Sequence, residues 1–353
     1  MRIAQVSPLI ESVPPKLYGG TERVIFWLTE ELIKQGHEVT LFASGDSQTS
    51  AKLVPGSKAA LRFDESVLQP LPYYFAMLEE LRRRASEFDI IHFHLDYLHF
   101  PQFSDIATRT LTTQHGRLDL PDLPTVFDAF PQMPQVSISN HQRQPLPSAN
   151  WLATIYHGLP TGLHRFHPDS KRDYLAFLGR ICHDKRPDRA IEIAKRAGIP
   201  LKIAAKVDKA DRDYFEAKIR PLLDDPLVEF IGEINETEKT AFLSGAKALL
   251  FPIDWPEPFG LVMIEAMACG TPVIAWPCGS VPEIIEDGLT GFHVRSIEEA
   301  VAALDRLDNL DATAIRDRFE ERFSAERMAA DYLDLYNQLI GLESLTGRLV
   351  AAE

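Results

Sequence analysis

Two glutamates set seven residues apart, Glu257 and Glu265, are the first candidates for chemistry. They bracket the stretch Pro256-Glu257-Pro258-Phe259-Gly260-Leu261-Val262-Met263-Ile264-Glu265. Glu257 falls in a proline-bounded loop. Glu265 falls two turns into an otherwise apolar helical segment, Phe259–Ala268. A carboxylate in such a segment is costly unless it is paired or hydrogen-bonded. Hydroxyl groups of a sugar or ribose are suitable partners, and a structural Lys or Arg is the plain alternative. The helix start at Phe259, Gly260, Leu261 and Val262 also leaves backbone N–H groups without partners, which suits a phosphate.

Cations for such a phosphate lie upstream. Gly179-Arg180-Ile181-Cys182-His183-Asp184-Lys185 follows an expected strand, Tyr174–Leu178. Arg180 offers a rigid fork to phosphate oxygens and Lys185 a point charge. The carboxyl end of a strand is where α/β proteins hold ligands. A second anion cradle is Gly19-Gly20, flanked by Tyr18 and by Thr21-Glu22-Arg23, where glycines open an expected helix and let N–H groups approach an anion. The plain alternative is a tight turn capped by Thr21. His115-Gly116 ends the expected strand Leu111–Gln114, and His115 is a ligand-contact candidate. His92 and His94 are read as alternating across a strand, so that both cannot face one site and one is structural. Asp211-Arg212-Asp213 has metal-ligand spacing but sits in an expected charged helix, Ala210–Ile219, and is read as a solvated face.

These residues need a scaffold. Short apolar runs at Arg2–Val6, His37–Ala43, Ile90–Phe93, Leu111–Gln114, Val136–Ile138 and Ala153–Ile155 alternate with helical patterns such as Glu22–Gln35. Strands buried on both faces, with intervening helices, predict a parallel sheet of βαβ units. The Gly-, Pro- and charge-rich stretch 158–172 reads as a linker. The alternation restarts with strands at Tyr174–Leu178, Leu201–Ala205, Val228–Ile231, Ala248–Phe251 and Pro272–Ala275. Helices are expected at Phe75–Phe88, Arg189–Ala197, Thr237–Gly245, Glu298–Leu307, Ala312–Phe323 and Ala325–Leu339. The 353 residues fit two domains. The expected division is 1–165, joined by a C-terminal helix of about 330–353, and 166–329, with a ligand cleft between them.

The net charge of −14 disfavours nucleic acid or an anionic membrane as the main partner, while leaving room for a small basic pocket. Three cysteines, Cys182, Cys269 and Cys278, make no disulfide framework and fit a reducing compartment. The start MRIAQVSPLI does not read as a signal peptide, and no run of about 20 apolar residues occurs, so the cytoplasm is the expected location.

Taken in order, these features resemble the GT-B glycosyltransferases of family 4, a retaining family. The most specific part is E-P-F-G-L-V-M-I-E-A-M-A-C-G-T-P-V-I-A from Glu257, followed by G-S-V-P-E-I-I-E-D-G-L-T-G-F from Gly279. Gly19-Gly20, His115-Gly116 and Gly179-Arg180 with Lys185 support it. The resemblance implies two Rossmann-like domains facing each other across a cleft, with a C-terminal helix that crosses back to the first. It implies transfer of a hexose from a small-molecule nucleotide-diphosphate sugar, UDP-glucose-like, to a hydroxyl acceptor, with retention and with no metal or other cofactor. Arg180 and Lys185 would neutralise the diphosphate, and amides of Gly19, Gly20, Phe259, Gly260, Leu261 and Val262 would complete its cradle. Glu265 would bind ribose hydroxyls, Ile234 would lie beside the base, and Glu257 and His115 would hold the donor sugar near the reacting carbon. The competing readings are a sugar-nucleotide epimerase of the same fold and a non-catalytic nucleotide-sugar-binding regulator.

Two departures from the family pattern bear on donor detail. Ala204-Ala205-Lys206-Val207-Asp208 replaces a common Gly-x-Gly turn and makes Lys206 a further donor-contact candidate. Cys278-Gly279 replaces a paired glycine. Pro14-Pro15-Lys16-Leu17-Tyr18-Gly19-Gly20 resembles a subset labelled as glucosyltransferases acting on a pterin. The acceptor, a small molecule or glycan, is expected on first-domain loops 9–18, 44–51, 94–102 and 117–130. A lipid acceptor is disfavoured, because Arg82-Arg83-Arg84 reads as an ordinary helix end.

Overall fold

The computed structural model describes residues 1–16 and 19–350, with side chains through residue 341. Leu17, Tyr18 and residues 351–353 therefore lie outside the described residues. The chain divides into two units, Met1–Gly158 with Ala325–Glu353, and Leu159–Ser324.

The first unit holds a seven-stranded sheet in the order β3-β2-β1-β4-β5-β6-β7. Its strands are β1 Arg2–Val6, β2 Glu38–Ser44, β3 Lys52–Ser57, β4 Ile90–Phe93, β5 Thr110–Thr113, β6 Gln135–Ser137 and β7 Trp151–Thr154. Every pairing is parallel. The central strands are buried almost throughout because helices cover both faces, although β1 carries Gln5, β4 carries His92 and β5 carries three threonines. Ile3, Leu41, Phe42, Ile91 and Phe93 are fully buried, each worth about 1.5–3 kcal/mol of burial. Strand β3 went unpredicted. It contains Pro55, which a sheet tolerates at the edge position that β3 occupies. The expected helix at Phe75–Phe88 is instead Leu71–Arg83, with proline in its first turn, and a short 3₁₀ turn follows at Ala85–Glu87.

The second unit holds a six-stranded sheet in the order β10-β9-β8-β11-β12-β13. These are β8 Tyr174–Arg180, β9 Leu201–Lys206, β10 Val228–Gly232, β11 Ala246–Phe251, β12 Val273–Ala275 and β13 Gly291–His293. They too are all parallel. The core packs Leu175, Phe177, Ile203, Leu250 and Ile274 against the helix Pro187–Ala197. The strand order reverses between β8 and β11, so the loops after those two strands are the natural ligand position in this sheet.

The boundary falls at Gly158/Leu159 because Leu159 is already tied into the second unit. Its N–H donates to the Phe323 carbonyl, and it bridges Ser324. Helix Ala325–Val350 then returns the chain to the first unit. Its Tyr332 and Tyr336, one turn apart, are fully buried there. Among the described residues no helix is long and apolar enough to cross a membrane.

Candidate active site

In the second unit the two switch-point loops bring Lys185 and Glu257 into direct contact. The loop after β8 forms a 3₁₀ turn, His183–Lys185. Its Lys185 ammonium bonds the Glu257 carboxylate. The Trp255 indole N–H donates to the same oxygen at 2.9 Å. The ammonium also lies 5.1 Å from the Trp255 ring centre and 5.4 Å from that of Phe251, so aromatic faces add to its stabilisation. Glu257 is only 8% exposed. A buried carboxylate needs this pairing, and removing one partner of such a pair is strongly destabilising.

Both loops are held from outside. The Asp254 N–H donates to the Asp184 carbonyl at 2.8 Å. Arg189 donates to the carbonyls of Pro252 and Ile253 and to the Asp254 carboxylate. On the other side, Gly279 has φ +63°, and a Cβ there would overlap the backbone N and O of Glu257. Ser280 follows, its N–H bonded to the Glu257 carbonyl at 2.9 Å and its hydroxyl to the Phe259 carbonyl at 2.8 Å. Cys278-Gly279-Ser280 is thus a clamp on the Glu257 loop, which sequence reasoning registered only as a departure from a pattern.

Arg180 is the last residue of β8, not a loop residue. Its guanidinium is 3.7 Å from Asp208 and 3.5 Å from Asp211, and its side chain is 38% exposed. Lys206, at the end of the neighbouring β9, is 2.9 Å from Asp208. Asp211 therefore faces Arg180 and is not part of a merely solvated face. The expected helix Ala210–Ile219 is broken into a 3₁₀ turn Lys209–Asp211, a helical turn Arg212–Tyr214 and a π-helical turn Phe215–Ile219. Contacts this long are weak, about 0–1 kcal/mol each.

The helix carrying Glu265 begins at Leu261, two residues later than expected. Gly260 takes φ +85°, which only glycine adopts readily, and turns the chain sharply into the helix. Phe259 is buried ahead of that turn, its ring 6.2 Å from Phe323. The opening amides of the helix are therefore those of Leu261 and Val262. Glu265 is 1% exposed and takes the plain partner anticipated for it, Lys239, at 2.7 Å. Lys239 also lies 3.4 Å from Glu236. His164 reaches Glu236 at 3.4 Å through Nε2 and Thr240 at 3.0 Å through Nδ1. His164, Glu236 and Glu265 are spaced closely enough to hold a metal ion, but the Lys239 ammonium already supplies positive charge to both carboxylates. Sequence reasoning missed Lys239; its spacing of three from Glu236 made it look like an ordinary helix-surface pair. Ile234 lies in the loop between β10 and helix Glu236–Ser244, after Gly232 at φ +77°. That helix is closed by a capping box from Asn235 and Glu238.

The first unit carries Gly19, Gly20 and His115. Helix Gly20–Lys34 starts at Gly20, with Gly19 as its N-cap, so Thr21 is not the cap. A Cβ at Gly19 would meet Pro15 at 2.8 Å. The Glu22 carboxylate lies beside Gly19, buried, and burial pushes its pKa up to about 7. His115 follows β5. Its Nε2 is 2.8 Å from His94 Nδ1, and its ring stacks on His157 with centres 5.2 Å apart. Burial drives His115 down to about 3, so the ring is neutral.

The reading of His92 and His94 is overturned. Residues two apart in a strand lie on the same face, and their ring centres are 4.1 Å apart. Both belong to one buried network that reaches His115.

The Glycosyl transferases group 1 family model matches residues 164–323, and the Glycosyltransferase Family 4 model matches residues 18–185. The O-antigen chain mannosyltransferase C of Escherichia coli is 23% identical across 94% of this chain and 97% of that protein. The alpha-maltose-1-phosphate synthase of Mycolicibacterium smegmatis is 30% identical across 48% of this chain and 49% of that protein. Among solved structures, Anabaena Alr3699/HepE in complex with UDP-glucose aligns over 95% of this chain and 99% of that one, with TM-score 0.69 and 18% identity.

Proposed function

The chain belongs to glycosyltransferase family 4 and has the GT-B fold, and from that premise we propose that it moves a hexose from a UDP-glucose-like donor to a hydroxyl acceptor with retention and without a metal. The observation that carries this reading is the contact between Lys185 and Glu257 at the β8/β11 switch point.

Breaking a glycosyl–phosphate bond develops negative charge on the leaving diphosphate. Fixed cations and N–H dipoles aimed at that charge lower the barrier. Lys185 and Arg180 are the cations, and the amides of Leu261, Val262, Gly19 and Gly20 are the dipoles. Arg180 gives up its loose contacts with Asp208 and Asp211 in exchange for phosphate oxygens, and Lys206, tied to the same Asp208, adds charge to that edge. Glu257, joined to Lys185, accepts hydrogen bonds from donor-sugar hydroxyls. One ion pair thereby spans the diphosphate side and the sugar side of the bond that breaks. Glu265 accepts from the ribose hydroxyls and Ile234 packs beside the base.

His115 bears on the donor sugar from the first unit. The leaving phosphate takes the acceptor's proton during front-side attack. Lys239 at 2.7 Å from Glu265 supports independence from metal, since an ammonium stands where a cation would be drawn.

The acceptor is a small hydroxylated molecule or glycan. Of the expected acceptor loops, 94–102 runs into the helix Phe100–Phe103 and 117–130 contains the helix Leu123–Ala129, and the exposed Tyr97 and Leu120 ahead of those helices suit a sugar or planar ring. The complex of the Anabaena protein with UDP-glucose supports the choice of donor, and the name of the Escherichia coli mannosyltransferase makes a mannose donor, tried here as GDP-mannose, the competitor to test. Thermal-shift titration with UDP, GDP, ADP and their sugars decides among them, because a ligand that binds the folded state raises its melting temperature. UDP and UDP-glucose are expected to give the largest shift. A larger shift with GDP-mannose, or none with any nucleotide sugar, overturns the donor assignment.

A further inference from the structure

We infer that Gln5 and His94 are positioning residues that fix the tautomer of His115, so that its ring meets a ligand as a hydrogen-bond acceptor at Nδ1 and not as a donor. This rests on the reading above that His115 touches the donor sugar.

The network is a single branched chain of hydrogen bonds inside the first unit. Gln5 sits in β1, a polar side chain fully buried between apolar neighbours. Its Oε1 is 2.8 Å from His94 Nε2, and its Nε2 is 3.2 Å from the Tyr336 hydroxyl. His94 Nδ1 is 2.8 Å from His115 Nε2. On the other branch, the Tyr336 hydroxyl is 2.7 Å from His92 Nδ1, His92 Nε2 is 2.7 Å from the Thr113 hydroxyl, and that hydroxyl is 2.8 Å from Tyr332.

Burial holds His92, His94 and His115 below the ordinary imidazole range. A neutral ring has one donor nitrogen and one acceptor nitrogen. Along the branch from Gln5 through His94 to His115 each bond therefore dictates the next, and two arrangements of protons fit the geometry. In the first, the Gln5 carbonyl accepts from His94 Nε2–H. His94 Nδ1 must then accept from His115 Nε2–H, which leaves His115 Nδ1 with a lone pair. The Gln5 amide donates to Tyr336, which donates to His92 Nδ1, and His92 Nε2–H donates to Thr113.

The second arrangement needs the Gln5 amide turned over, so that its NH2 donates to His94 Nε2 and its oxygen accepts from Tyr336; His94 Nδ1–H then donates to His115 Nε2, and His115 Nδ1 carries the proton. The two differ in what they leave at that atom, which is buried and has no hydrogen-bond partner among the described residues. A buried N–H without an acceptor costs more than an under-used lone pair, and orphaned donors are the rarer of the two in folded proteins. The first arrangement therefore wins. His115 can accept from a sugar O–H and has no proton to offer one. Tyr332 and Tyr336 extend the network into the returning helix, so that helix helps to set the state of a residue far from it in sequence.

Long-range ¹H–¹⁵N correlation spectra of the full chain labelled with ¹⁵N-histidine report which ring nitrogens carry protons. His115→Gln and His94→Gln assign the signals by their loss. Wild-type His115 is expected to show a protonated Nε2 and a bare Nδ1. Gln5→Leu, which removes the acceptor for His94, should give mixed tautomers at His115 and lower kcat/KM about tenfold, the worth of one ligand hydrogen bond. Gln5→Glu, which keeps an oxygen facing His94 Nε2, should restore the wild-type ring pattern. A protonated Nδ1 in the wild type overturns the inference, and so does an unchanged His115 pattern in Gln5→Leu. The wild-type spectrum decides the tautomer even if Gln5→Leu fails to fold. Addition of UDP-glucose separates the two readings: a shift at His115 Nδ1 supports both. The expected tautomer with no shift upholds the network and removes His115 from the donor site.

Discussion

Lys185 and Glu257, seventy-two residues apart in sequence, meet as a nearly buried ion pair at the carboxyl edge of the second sheet. Their side chains are 19% and 10% exposed. Stability and chemistry are coupled at this contact, because the group proposed to neutralise the diphosphate also neutralises the group proposed to hold the sugar.

Lys185→Ala should therefore cost stability as well as donor binding. It strands a buried carboxylate, a loss of about 3 kcal/mol, or several degrees of melting temperature. Adding Glu257→Gln should recover most of that loss. A double-mutant cycle by thermal denaturation checks it; additive losses would mean that the pair is not coupled.

Glu257→Gln should separate binding from turnover. It removes the charge proposed to face the sugar and keeps Lys185 and Arg180, the groups proposed for the diphosphate. The expected result is UDP affinity changed by less than about threefold and kcat reduced about 100-fold. Arg180→Ala should do the reverse, weakening UDP about 10- to 100-fold, the worth of a charge-assisted hydrogen bond. Calorimetric titration of UDP alongside steady-state kinetics reads both.

Glu22 should make stability fall as pH rises. Burial pushes its carboxyl up to about 7 from an ordinary 4.5. Below about pH 4.5 it is protonated in both folded and unfolded chains and contributes nothing. Between about 4.5 and 7 the unfolded chain ionises first, so folding loses stability, reaching about 3 kcal/mol above pH 7. Glu22→Gln should be neutral at pH 4 and stabilising at pH 8. Denaturant unfolding at the two pH values checks this; equal effects at both would show that the carboxyl is not shifted.

Gly279→Ala should damage the site from a distance. The added Cβ would overlap the backbone of Glu257, at a φ that disfavours alanine. A loss of about 2–3 kcal/mol and a fall in kcat/KM are expected. Wild-type kinetics in this variant would mean that the Cys278–Ser280 clamp does not position Glu257.

Transfer should persist in EDTA. The carboxylates at Glu236 and Glu265 already have the Lys239 ammonium between them. Loss of activity on chelation, restored by Mg²⁺ or Mn²⁺, would contradict a metal-free site.

Much of this was legible in the sequence, and for physical reasons. Parallel strands buried on both faces read as short apolar runs, so the central strands of both sheets stood out, as did the Glu257–Glu265 spacing and the segment from Arg180 to Lys185. What escaped depends on packing or on local geometry. Edge strand β3 was hidden by Pro55, and β13 is only three residues long. The helix start moved to Leu261 because Gly260 adopts a left-handed φ that composition alone does not reveal. Lys239 looks like a surface residue until the helices Glu236–Ser244 and Leu261–Ala268 pack and aim it at Glu265. The pairing of His92 with His94 follows from the two-residue period of a strand and was misjudged. Gln5, a polar residue in the middle of the apolar run Arg2–Val6, was a further signal of the histidine network that went unread.

The most direct test of the account is proton NMR of UDP-glucose turnover in EDTA, following the anomeric configuration of the first sugar product released or transferred. The account predicts consumption of the donor with the α configuration retained. A β product, or UDP-glucose left intact by protein that binds UDP, would contradict it.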